Sequence, residues 1–209
     1  MKRILLTFMV IVAGLSMMAP DINAQSGYNP PPATARQKRH DAWHKDMAEF
    51  RARSEQRRAL EELTESIAGV QAAAAVRNQD FVLEADQVTF KNGATVFVNS
   101  NTTFISVKGN RAVVQISPSN FSSGPNGVGG VTVDGTVSGM ERMVDKKGNV
   151  TVSFNVMGIG INAQIEIYMT PGTNRASATI YPNFNSNTVW LQGDIVPYEN
   201  SDIFEGSSL

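Results

Sequence analysis

Val150-Thr151-Val152-Ser153-Phe154-Asn155-Val156, followed by Ile161-Asn162-Ala163-Gln164-Ile165-Glu166-Ile167-Tyr168-Met169, is the stretch that decides the fold class. Apolar and polar residues alternate with a period of two, the spacing at which a strand sends successive side chains to opposite faces. One face is therefore apolar throughout and the other polar. Turn signals separate this run from its neighbours: Asn92-Gly93, Lys108-Gly109-Asn110, Lys147-Gly148-Asn149 and Pro171-Gly172. Working outward at that spacing, residues 78–209 hold about nine or ten short strands. The fold class is mainly β, an antiparallel β-sandwich or barrel. Parity places Val114, Ile116, Val152, Phe154, Ile165, Ile180 and Leu191 in its core.

An internal echo runs through this region. Asn110-Arg111-Ala112 returns as Asn174-Arg175-Ala176, and Ile116 and Pro118 match Ile180 and Pro182. Asn120-Phe121 matches Asn183-Phe184 one residue out of step. The strands that follow agree as well, Val131, Val133, Gly135 and Val137 corresponding to Val189, Leu191, Gly193 and Ile195. The same parity is apolar in both copies, and a one-residue slip would reverse the faces. Two readings stand: equivalent strand–loop–strand halves, or two similar loops that close similar hairpins.

Upstream of Asn78 the pattern changes. Ala35 to Arg77 contains no Pro and only one Gly, Gly69. Trp43, Met47, Phe50, Leu60, Leu63, Ile67, Val70 and Ala74 recur at three- and four-residue spacing. This predicts a long, charged, amphipathic helix over 35–77 whose later part, about 59–77, docks on the β-domain. Residues 36–77 carry nine Lys/Arg and seven Asp/Glu, whereas 78–209 carry seven and eleven. The mildly acidic β-domain has no electrostatic footprint for nucleic acid, so no nucleic-acid partner is expected.

The amino terminus reads as an export signal. Lys2 and Arg3 precede an uncharged apolar run from Ile4 to Ala19, Pro20 breaks it, and Ala24 offers a small residue for cleavage. The run is shorter than the roughly 20 residues that span a bilayer. Residues 1–24 are therefore expected to be removed, leaving a periplasmic or secreted chain with no transmembrane segment and a Pro-rich tether over 25–34. The chain has no Cys, so it is not expected to be a lipoprotein.

Phe81-Val82-Leu83-Glu84-Ala85, Asn92-Gly93 followed by Val96-Phe97-Val98, Arg111-Ala112 followed by Gln115-Ile116-Ser117, Gly124 to Gly130, Gly148-Asn149-Val150 and Pro182-Asn183-Phe184 together carry a resemblance. As a set, over roughly 78–209, they resemble an uncharacterised exported family of Bacteroidetes, the domain-of-unknown-function family 4251. The resemblance implies a Gram-negative envelope protein. It implies no activity and no catalytic residues.

Chemistry is sparse in these residues. His40-Asp41-Ala42-Trp43-His44 sets two imidazoles on one helix turn, but zinc needs a third ligand and a nearby base, and there is no other His. A solvated helix face is the better reading, with no metal and no cofactor expected. The β-region has neither His nor Cys, which excludes Ser-His-Asp and Cys-His machinery within it. Glu84, Asp86, Asp134, Glu141, Glu166 and Asp194 leave carboxylate-pair hydrolysis of a glycan or peptide as an alternative, which would need one of the pair buried. The glycine-rich stretch 124–130 links two strands and lacks the helix start and the Lys of a phosphate loop.

Candidate ligand-binding residues are aromatics. Tyr168, Tyr181 and Trp190 fall on the polar parity, and Phe121 and Phe184 sit in the two echoing loops. Flat aromatic surface beside Asn, Gln and Arg suits sugars or peptide edges. The alternatives are that the 59–77 helix covers the three strand aromatics and that the two Phe rings plug the barrel ends. The expected function is a non-enzymatic module of the cell envelope that binds a ligand or protein, its partner an envelope protein or glycan. A structural or chaperone-like periplasmic role is a further alternative.

Overall fold

The computed structural model describes residues 34–117, 130–158, 162–183 and 187–206. Its elements are α1 (Ala35–Asn78), β1 (Asp80–Phe90), β2 (Thr95–Phe97), β3 (Phe104–Lys108), β4 (Arg111–Ile116), β5 (Val131–Val144), β6 (Val150–Gly158), β7 (Asn162–Met169), β8 (Arg175–Pro182) and β9 (Val189–Pro197). A short 3-10 turn, Tyr198–Asn200, follows. The chain divides after Phe50 into two units, described in turn.

In the first unit, Thr34 caps the start of α1, its hydroxyl accepting from the Gln37 amide at 3.3 Å. His40 and His44 meet edge to face with their Nε2 atoms 3.0 Å apart. Trp43 and Phe50 are exposed. Among the described residues no three His, Asp or Glu gather as metal ligands. No described helix is long and apolar enough to cross a membrane.

In the second unit every strand runs antiparallel to its neighbours, in the order β2-β1-β3-β4-β5-β6-β7-β8-β9, and β9 returns to β1. Eight strands thus close a barrel, with β2 an added strand alongside the later part of β1. Closure settles the choice between sandwich and barrel. It requires sheet curvature, and β1 supplies some: the register slips between Ala85 and Gln87, leaving Asp86 as an extra residue. Ala85 and Val88 are consequently both buried, three residues apart.

The alternation read from the sequence is the wall of this barrel. Val152, Phe154, Ile165, Ile167, Ala178, Ile180, Leu191 and Ile195 point inward and join Phe81, Leu83 and Val114 in one core. Ile116, also predicted to be core, is half-buried at the rim. A second cluster lies on the opposite face of β1, β3 and β4, where Val82, Phe104 and Val113 are covered by Val196, Tyr198 and Ile203. This part of the wall is apolar on both faces, so it needs the carboxy-terminal segment as an outer layer.

Gln115 fastens that segment. Its Nε2 donates to the carbonyls of Thr102 and Phe204 at 2.9 Å each, and its Oε1 accepts from Thr132 Oγ1 at 3.1 Å and Gly206 N at 2.8 Å. Arg111 adds a two-pronged pair with Asp134 and a 3.0 Å contact to Glu205.

The helix docks, but not by the stripe expected. Gly69, Ala72, Ala75 and Val76 are the buried residues of α1. Leu60, Leu63, Ile67 and Val70 are each at least 60 % exposed, and at 100° per residue they lie on the other side of the helix. The reason is distance. A Cβ added at Gly69 would come within 2.8 Å of the Thr173 amide, so only a small-residue face fits against the β7–β8 turn. The helix ends as Gln79 takes a left-handed conformation (φ 56°), its amide bonding Val76 O and its carbonyl accepting from Gly109 N at 2.8 Å.

Candidate functional site

Up-and-down connectivity sends alternate turns to opposite ends of the barrel. The β3–β4, β5–β6 and β7–β8 turns share one end with the close of α1: Gly109 bonds Gln79, Gly69 abuts Thr173, and Gly148 abuts Pro171. Ala72, Ala75 and Val76 enter the core from that side. The barrel is therefore stoppered there. Strands β4, β6 and β8 finish at the other end.

At that other end is a cavity of about 200 Å³. Val114 and Ile116 of β4, Val131 and Val133 of β5, Val156 of β6 and Ile180 of β8 form its wall, with Ala163, Pro182 and Val189 completing it. Among the described residues Asn187 is the one polar residue that lines it, and none that lines it is charged. Inward parity explains the composition, since these are the last inward positions of each strand before the rim. Val131, at the outer edge of this wall, is half exposed.

The strand aromatics stand elsewhere. Tyr168, Tyr181 and Trp190 lie on the outer wall of β7, β8 and β9, 43 %, 42 % and 40 % exposed. The docking part of α1, Gly69 to Val76, does not cover them, because it meets a barrel end rather than this wall. Phe121 and Phe184 lie outside the described residues.

Nor do the carboxylates form a catalytic pair. Glu84 accepts from Ser201 Oγ at 2.6 Å, while the bulge turns Asp86 toward Arg175, whose two terminal nitrogens reach its oxygens at 2.7 and 3.1 Å. Asp194 approaches the same guanidinium at 3.4 Å. The hydrogen bond that Arg175 donates to Asp86 is the largest cause of its raised pKa. Asp134 is spent on Arg111 in the same way, and the Asp134 bond, followed by that to Glu205, raises the Arg111 pKa. None of Glu84, Asp86, Asp134, Glu141, Glu166 and Asp194 lines the cavity.

Sequence reasoning missed the cavity. Val114, Ile116 and Ile180 were legible as core, but nothing in their alternation marks a cavity between them.

Residues 65–195 match the family described as Domain of unknown function (DUF4251). This chain belongs to that family. A crystal structure of a DUF4251 family protein from Bacteroides eggerthii DSM 20697 is 49 % identical, with a TM-score of 0.60, and the match covers 68 % of this chain and 96 % of that one. No curated protein matches. The DUF4251 region takes in the docking part of α1 together with the barrel up to Ile195.

Proposed function

We propose that this DUF4251 protein is an exported, non-enzymatic binding module that holds an apolar group in the cavity at the end of its barrel away from the docked part of α1. One observation carries the reading: the cavity of about 200 Å³, whose described lining is Val, Ile, Ala and Pro side chains with Asn187. Eight-stranded barrels are wide enough either to be filled by side chains or to hold one small ligand. A dry apolar cavity of about 150 Å³ accepts benzene, so this one suits a group somewhat larger. Affinity would come from removing apolar surface from water, about 25 cal/mol per Å². Export rests on the amino-terminal pattern of Lys2, Arg3 and the run Ile4 to Ala19, and a purified envelope form beginning at Gln25 is its check.

The hydrolase alternative is less favoured, because a carboxylate pair at work needs burial and no carboxylate is among the described residues that line the cavity. The test is titration with the fluorescent apolar probe N-phenyl-1-naphthylamine. Saturable brightening is expected for the native chain, and loss of it for Val133→Phe, which fills the mouth from a half-buried position. Absence of saturable brightening, or its persistence in the filled variant, overturns the proposal.

A further inference from the structure

The pairing of β7, β8 and β9 sets Tyr168 opposite Ser177 and Ser177 opposite Gln192. Those three side chains form a straight row across the outer wall, all of them exposed. Neighbouring strands are about 4.8 Å apart, so the row is roughly 10 Å long. It lines a shallow groove of about 270 Å³ with Thr170 and Arg175. The groove is on the wall near the stoppered end and is separate from the mouth cavity.

We propose that this groove binds a neutral sugar residue of a glycan, stacked on Tyr168. The face of a pyranose ring presents C–H groups that pack on an aromatic ring, while its rim presents hydroxyls that each donate and accept. The row offers those elements in order: a ring at one end, a hydroxyl next, then an amide that both donates and accepts. Arg175 stands beside them, already oriented by Asp86 at 2.7 and 3.1 Å and by Asp194 at 3.4 Å. A guanidinium fixed in advance loses little freedom on binding.

Charge selects among ligands. Two carboxylates against one guanidinium leave this cluster with a net negative charge, so an anionic ligand is repelled and a neutral polyol is not. Contrast within the fold supports a free surface. On β1, β3 and β4 the outer wall is apolar, with Val82, Phe104 and Val113, and the chain covers it with its own residues 196–203. On β7–β9 the outer wall is aromatic and polar, and Tyr168, Tyr181 and Trp190 on it are exposed. An exposed Tyr between hydroxyl and amide neighbours suits a ligand that is itself half apolar and half hydroxyl.

Affinity electrophoresis of the full chain tests this, in gels cast with a neutral β-1,4-glucan, an α-1,4-glucan or an α-mannan, and with acidic polygalacturonate. Retardation is expected in at least one neutral gel and not in the acidic one. Tyr168→Ala should reduce it at least tenfold, Gln192→Ala several-fold, and Tyr168→Phe, which keeps the ring, should retain most of it. Trp190→Ala, on the same wall but outside the groove, should leave it unaltered. Because Tyr168 is exposed, the thermal midpoint of the Ala variant should stay within a degree or two of the native value, which separates lost binding from lost folding. No retardation in any neutral gel, retardation in polygalacturonate alone, or full retardation of Tyr168→Ala overturns the proposal. Titration of the mouth with the naphthylamine probe is independent of every one of these outcomes.

Discussion

Gly135 on β5 and Gly193 on β9 occupy the same register position in two strand pairs, opposite Ala112 and Ala176 respectively. The resemblance extends along both pairs. Val137 N bonds Asn110 O at 2.7 Å, and Ile195 N bonds Asn174 O at 2.8 Å. In the closed order β4 and β8 are four strands apart out of eight, as are β5 and β9. The corresponding pairs therefore face each other across the barrel, and β4 and β8 finish at the same rim.

Replacing either glycine by Ala is predicted to destabilise the protein. In a strand that change ordinarily helps by about 0.5–1 kcal/mol. Here an added Cβ at Gly135 would stand 2.6 Å from Met157 O, and at Gly193 it would fall on the carbonyl of Glu84. Both obstacles are backbone. Losses of about 1–3 kcal/mol are expected, the larger at Gly193, measured as midpoint shifts in urea. Stabilisation by either substitution would contradict the close approach of β5 to β6 or of β9 to β1.

Phe154→Ala should cost about 3–5 kcal/mol, because the ring is 1 % exposed within the inward core and its removal leaves a hole that the barrel wall cannot collapse to fill. Urea unfolding checks it, and a loss below about 1 kcal/mol would mean that β6 presents its other face inward.

Parity made the wall legible: Val152, Phe154, Ile165 and Ile180 could be assigned to one face from alternation alone. Closure was not legible, since pairing of β1 with β9 depends on curvature and on the extra residue at Asp86, and neither has a period. The docking face of α1 was misread for a physical reason. Periodicity registers large side chains such as Leu60, Leu63 and Ile67, whereas contact at backbone distance uses the smallest ones. Gly69 and the run Ala72 to Ala75 were the available signal. Tyr168, Tyr181 and Trp190 were correctly placed on the polar parity, and the alternative in which the helix covers them rested on the same misreading of the helix. The mouth cavity had no signature, since a residue facing a void and one facing a neighbour look alike in sequence.

Gln115→Ala is predicted to loosen the carboxy-terminal segment while leaving the barrel paired. The side chain is fully buried and is the common partner of Thr102, Thr132, Phe204 and Gly206. Its loss orphans several polar groups at about 1–3 kcal/mol each where they stay buried. Hydrogen exchange should accelerate at Gly206 and Phe204, and proteolytic trimming after Asn200 should quicken. Unchanged exchange at these amides would count against Gln115 as the fastening.

The β5–β6 turn should be sensitive to acid. Asp145 is held below the usual carboxylate pKa, first by the Asn149 side chain and then by the Asn149, Lys147 and Gly148 amides. A carboxylate whose pKa is depressed by folding contributes above its unfolded value, near 3.9, and that contribution fades as pH falls through the folded one. The amides of Lys147 and Asn149, bonded at 2.8 and 2.9 Å, should thus lose protection only in acid below about pH 4. In Asp145→Asn that acid dependence should vanish, and its persistence would place the titrating group elsewhere.

The seam between β1 and β9 also dictates an order of events in folding. Phe81 must wait for Pro197 and Phe90 for Val189, so one edge of the first strand lies bare until the last has been made. Contacts this remote in sequence form slowly, and an unpaired edge invites another chain. The residues that cover Val82, Phe104 and Val113 arrive with or just behind β9, so seam and outer layer are completed together. A chain ended before Val189 should consequently self-associate, with β1 and β8 as its adhesive edges, where the complete chain has sealed both.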